Sequence, residues 1–162
     1  QFQWWALSLV RAKPAEGREK KGADKGIDGV IVFSDDHTGK LKRCLVQVKS
    51  GKVKAGDIRD LVGTMTREGA ELGLFVTLDT PSSDMKREAA IAGMYRSEGW
   101  QRDYPRIQIA TIGDLLAGVH PAIPYGVLTF AKAPRVGVDT GERQATMELP
   151  GSPSPAVTPR SS

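Results

Sequence analysis

The chain has 162 residues, 40% of them hydrophobic, and carries 23 Lys and Arg against 19 Asp and Glu for a net charge of +4. That length suits one domain with a real buried core, and no run of roughly 18 apolar residues is present, which excludes a membrane-spanning helix. The single cysteine, Cys44, excludes an internal disulfide and fits a reducing cytoplasm.

Phe2, Trp5, Ala6 and Leu9 recur at helical spacing, and Trp4, Leu7 and Val10 widen the stripe. A packed helix is expected, ended by Pro14 and Gly17, with Trp4 and Trp5 in the core rather than stacking on bases. This opening lacks the basic start and small-residue cleavage site of a secretory leader. It also lacks an initiator methionine and begins in mid-helix pattern, so a piece of a longer protein is expected. Residues 11–26 are rich in Lys and Gly without periodicity and read as a loop.

From Ile27 to Phe33 the pattern alternates as a strand, with Ile27, Gly29, Ile31 and Phe33 on one face and Asp28, Val30 and Val32 on the other. Ser34 to Gly39 is turn chemistry, and an exposed hairpin turn accounts for His37 better than a metal site with Asp35 and Asp36. A second strand follows over about 41–49. Cys44, Val46 and Val48 share one of its faces, and Leu45, Gln47 and Lys49 share the other. Inside this apolar strand Cys44 reads as a small buried thiol, not a nucleophile.

Residues 55–67 read as a helix with Ile58, Leu61, Val62 and Met65 inward and Asp57 in the first turn, where it favours the dipole. Leu72 to Leu78 is apolar almost throughout, the mark of a central strand. A turn and cap at 80–84 lead into a helix expected over Met85–Tyr95. A short strand at Ile107–Ala110 and a short helix over 111–117, closed by Gly118, complete the pattern. The strand–helix–strand step predicts an α/β fold with a mixed central sheet flanked by helices. One domain is expected over 1–133, and the Pro/Ser/Thr-rich remainder, 134–162, reads as a disordered tail.

Three polar groups gather at one end of the predicted hairpin: Asp28 at its entrance, Gln47 and Lys49 at its exit. A carboxylate, an amide oxygen and an ammonium on adjacent strands can hold a divalent cation against a phosphate. Polar groups ending apolar strands are costly to bury unless they bind something. Around them the charge is uneven. Between Arg11 and Lys54 stand 12 basic and 6 acidic residues, a net of +6 that exceeds the whole chain's charge. A polyanion such as DNA suits that field. No zinc spacing, P-loop or Ser-His-Asp arrangement is present, and His120 draws no assignment.

Gly26-Ile-Asp-Gly29, followed by a strand, a turn and Val46-Gln-Val-Lys49, resembles the PD-(D/E)XK nuclease core. Within it the chain is most similar to the Mrr-like restriction endonuclease branch, where the second acidic position is often Gln. The segments ADKGIDG, VQVKSGKVK and DYPRIQI resemble a domain at the C-terminus of site-specific DNA methyltransferases, which would be the fused or removed N-terminal part. The resemblance spans roughly residues 1–130 and implies a restriction-endonuclease-like fold and hydrolysis of double-stranded DNA. It makes Asp28 the metal-binding acid, puts Gln47 in place of the second acid and makes Lys49 the motif lysine. Asp28, Gln47 and the Val48 carbonyl would then hold Mg²⁺, with Mn²⁺ as substitute, and Lys49 would serve the attacking water and the phosphate. Lys25, Lys52 and Lys54 would touch the DNA backbone, and cutting both strands would call for a homodimer.

Two departures qualify this. Gln47 is neutral and should weaken the metal, and the first helix carries no acid, leaving only Glu16 or Asp24 as substitutes; one metal is favoured over two. The alternative is a non-catalytic DNA-binding accessory domain. A purely structural domain would show no salt-dependent DNA binding at all.

Overall fold

Leu72–Thr77 (β4) is buried along its whole length, and the rest of the fold is arranged about it. The computed structural model describes residues 1–15, 26–36 and 38–124. The other elements are α1 (Phe2–Leu9), β1 (Lys13–Pro14), β2 (Gly29–Phe33), β3 (Lys42–Lys49), α2 (Ala55–Glu68), α3 (Ser83–Ile91), β5 (Met94–Ser97), β6 (Arg102–Pro105), β7 (Ile107–Thr111) and α4 (Ile112–Leu116). One sheet runs β1-β2-β3-β4-β7, antiparallel through β3 and parallel from β3 to β7. The expected mixed sheet flanked by helices is therefore present.

Each face of the sheet has its own core. Ala6, Leu7 and Val10 at α1 and Ile112 and Leu115 of α4 pack on Ile31, Phe33, Cys44, Val46, Val48, Leu74 and Val76. Ile58, Leu61 and Met65 of α2 and Met85 of α3 pack on Leu45, Phe75 and Ile107. A parallel strand between helices needs apolar side chains on both sides, which is why β4 shows no polar alternation. Burial pushes the Cys44 thiol up to about 12, so it stays protonated and inert.

Several sequence expectations change. Within the segment 11–26, Lys13 and Pro14 form a two-residue strand against Val30 and Gly29, too short to show any period. Gly29 makes this closure feasible: a Cβ there would lie 2.6 Å from Leu7 Cδ2 and 3.0 Å from the Lys13 carbonyl oxygen. Gly29→Ala is expected to cost about 1–3 kcal/mol through overpacking, read as a lower urea midpoint. The strand starts at Gly29, not Ile27, because Gly26 turns the chain with φ +120°. Ile27 consequently packs with Val30 on the α2 side instead of with Ile31.

Trp4 and Trp5 are not core residues. They are 64% and 44% exposed, while Ala6, Leu7 and Val10 make the helix contact. The third helix ends at Ile91, and Gly93 at φ +83° reverses the chain. Residues 94–97 and 102–105, the former expected partly in that helix, form an antiparallel hairpin. That hairpin corrects the turn as well. Asp35 is fully buried, its carboxylate taking hydrogen bonds from Lys42 Nζ at 2.6 Å and the Tyr95 hydroxyl at 2.7 Å. Asp36 shows the expected turn chemistry, accepting from the amide and hydroxyl of Thr38. His37 and the segment 134–162 lie outside the described residues. Among the described residues no helix is long and apolar enough to cross a membrane.

Candidate functional site

The site lies where β3 ends and α2 begins. The two-residue period of β3 sets Gln47 and Lys49 on the α2 side with Leu45, in register with Phe75 and Thr77 of β4. Asp28 is brought alongside by its own main chain: its N–H donates to the Val46 carbonyl at 2.9 Å and its carbonyl accepts from Ala15 N–H at 3.1 Å. The fold thus gathers Asp28, Gln47 and Lys49 at one end of the hairpin.

Each of the three is already engaged or enclosed. Oδ2 of Asp28 accepts the Val48 N–H at 2.7 Å. Burial pushes the Asp28 carboxyl above its ordinary value; the Val48 hydrogen bond and the charge of Lys49 offset only part of that. Gln47 is 8% exposed, and its amide lies against Gly26, where a Cβ would come within 2.9 Å of Nε2. Lys49 does not point free into the cleft: its Nζ pairs with Oδ1 of Asp57 at 2.5 Å.

Asp57 was expected only to favour the helix dipole, and its role is larger. Its Oδ2 accepts the Lys54 N–H at 2.8 Å, capping α2, while Oδ1 holds Lys49. Burial alone would raise its carboxyl, but the Lys49 and Lys54 hydrogen bonds and charges bring it below the usual carboxylate value. Asp57 is therefore an anion matched to Lys49. The only sequence signal for this was an acid in the first turn of the helix that follows the lysine strand.

Lys52 and Lys54 are exposed in the segment joining β3 to α2. Lys25, Glu16 and Asp24 lie outside the described residues. No group of three or more His, Cys, Asp or Glu residues placed to hold a metal occurs among the described residues. What remains for a cation is Asp28, with one oxygen committed to Val48, the neutral amide of Gln47 and main-chain carbonyls such as that of Val48. Mg²⁺ prefers several hard, anionic oxygens, and a lysine ammonium stands beside this set. The fit to a resident Mg²⁺ is poor.

No curated protein and no solved structure matches the chain. A family model described as NACHT-associated inactive Restriction Endonuclease 1 matches residues 13–117. That match carries the restriction-endonuclease-like part of the resemblance but not its Mrr-like, methyltransferase-associated part. It runs from β1 through α4, taking in Asp28, Gln47, Lys49 and Asp57, and on this ground the chain belongs to the NACHT-associated inactive restriction endonuclease family.

Proposed function

We infer that this restriction-endonuclease-like domain binds double-stranded DNA without hydrolysing it. The observation that carries the reading is the Lys49–Asp57 ion pair. A nuclease of this fold needs that ammonium on the attacking water and the phosphate, and here it is neutralised from within. Gln47 removes one anionic metal ligand, and the family's description as inactive points the same way. DNA contact is supported by exposed Lys52 and Lys54 beside the site and by the basic stretch 11–54, Lys25 included. The family's description as NACHT-associated replaces a fused methyltransferase as the setting we favour for the wider protein.

The second reading is a Mg²⁺-dependent nuclease using Asp28, Gln47 and Lys49, with Mn²⁺ as substitute. It is favoured by the convergence of those three residues at one end of the hairpin. Fluorescence anisotropy with a labelled duplex and plasmid nicking with Mg²⁺ or Mn²⁺ separate the two. Binding should weaken steeply with salt, and Lys52→Ala with Lys54→Ala should flatten the salt dependence by about 0.9 in log–log slope per lost phosphate contact. Nicking should not rise above background. Metal-dependent nicking that disappears in Asp28→Ala would hand the assignment to the nuclease. Salt-independent or absent DNA binding would leave a structural module.

A further inference from the structure

Asp57 binds two donors where β3 gives way to α2. Its two oxygens take one side-chain donor, Lys49 Nζ at 2.5 Å, and one main-chain donor, Lys54 N–H at 2.8 Å. An ammonium and an amide N–H are the donors that bind phosphate oxygens in protein–DNA contacts. The carboxylate cannot easily withdraw. It is 6% exposed, sits in the first turn of a 14-residue helix and is fixed by the capping bond independently of Lys49. Lys49 is the more accessible partner, its side chain 38% exposed, and exposed Lys52 and Lys54 continue the basic surface outward.

We propose that Asp57 is an internal counter-anion that limits the domain's affinity for DNA by holding Lys49 away from the phosphate backbone. This rests on the DNA-binding reading above and adds the residue that sets its strength. An ammonium bound to a buried carboxylate releases few counterions when DNA arrives, so Lys49 adds little to salt-dependent binding. Removing the negative charge while keeping the cap turns Lys49 into an additional phosphate contact.

Asp57→Asn makes that change, because the Asn side-chain oxygen can still accept the Lys54 N–H. Anisotropy with a labelled duplex at low salt should show binding tightened by about fivefold and a log–log salt slope steeper by about 0.9, one more phosphate neutralised. The gain should vanish when Lys49→Met is added, a coupling that a simple change of net charge would not produce. Asp114→Asn, an exposed charge removal on α4 at the other face of the sheet, should change affinity far less.

The wild-type chain provides a second test that needs no altered side chain. By NMR, the Lys49 ammonium resonance should hold its position when duplex is added, while those of Lys52 and Lys54 shift. If wild type binds DNA but Asp57→Asn binds no tighter, or if the Lys49 resonance moves as far as that of Lys52, the counter-anion role is wrong and the DNA-binding reading survives. If wild type and Asp57→Asn both fail to bind DNA, both fall.

Discussion

Asp35→Asn is expected to lower the stability of the domain by about 3 kcal/mol or more, the cost of removing one partner from a buried ion pair. Asp35 has no exposed surface, and the side chain of Lys42 is 13% exposed. Two donors converge on the carboxylate, Lys42 Nζ and the Tyr95 hydroxyl, and the buried Ser97 lies beside it. The Lys42 ammonium also lies 5.5 Å from the centre of the Tyr95 ring, so removing the anion disturbs a cation–π contact too. The Asp35 main chain is held as well, its carbonyl accepting the Gly99 N–H at 2.5 Å. An amide in place of the carboxylate keeps the shape but leaves the ammonium with only Asp36 Oδ2, at 3.6 Å, as a counter-charge. Urea unfolding should show the loss as a lower midpoint, with Tm down by about 10 °C or more. Adding Lys42→Met should recover much of it, because a neutral pair of similar volume removes the buried ammonium that has lost its main partner. A cost under about 1 kcal/mol would mean that the pair is solvated in solution.

The same pair sets the acid side of the stability curve. Burial alone would raise the Asp35 carboxyl; the hydrogen bonds and the charge of Lys42 overcome it and leave the group below its ordinary value. A carboxylate depressed in the folded state stabilises fully above its unfolded value of about 3.9, and that contribution fades as pH falls through the lower folded value. Wild type should therefore lose stability steeply below about pH 4. Asp35→Asn should show a shallower acid limb, starting from a lower plateau.

What the sequence disclosed and what it hid divide along a physical line. The placement of Gln47 and Lys49 on one face follows from the two-residue strand period alone, and β4 announced itself by an unbroken apolar run. The stripe of Ile58, Leu61 and Met65 likewise follows from helical spacing. These are local regularities. Asp35 is different: turn residues are usually exposed, and only the β5–β6 hairpin brings Tyr95 and Ser97 over it. With Tyr95 assigned to a helix, that cover could not be foreseen, so the two errors share one origin at Gly93. Trp4 and Trp5 fit the helical stripe, yet Ala6, Leu7 and Val10 make the close contact with the sheet. The Lys49–Asp57 pair also escapes a local reading, because an acid in a helix's first turn is ordinary capping chemistry. Only the path of residues 50–54 decides that its second oxygen meets the lysine.

Gln47→Glu is expected to lower stability and at the same time create a divalent-cation site, two effects of opposite sign that one added metal separates. Position 47 is 8% exposed, so a carboxylate there loses most of its hydration. Lys49, the nearest cation along the strand face, is already committed to Asp57, and Asp28 nearby carries a carboxyl that burial has pushed up. Without metal, the new acid should cost about 2 kcal/mol or more, the range for a buried polar group that lacks a partner. The carboxylate introduced at position 47 and that of Asp28 would together offer two hard anionic oxygen groups to one cation. Mn²⁺ at about 100 times its Kd should then restore about 2.7 kcal/mol, seen as a Tm rise that wild type does not show at the same concentration. Adding Asp28→Asn should abolish that rise. Nuclease activity is expected to stay absent even in the metal-loaded Gln47→Glu variant, because the ammonium that would serve the water remains with Asp57. A metal-dependent rise in Tm in wild type equal to that of Gln47→Glu would show that the neutral amide already suffices, and that a carboxylate at position 47 is not what cation binding here requires.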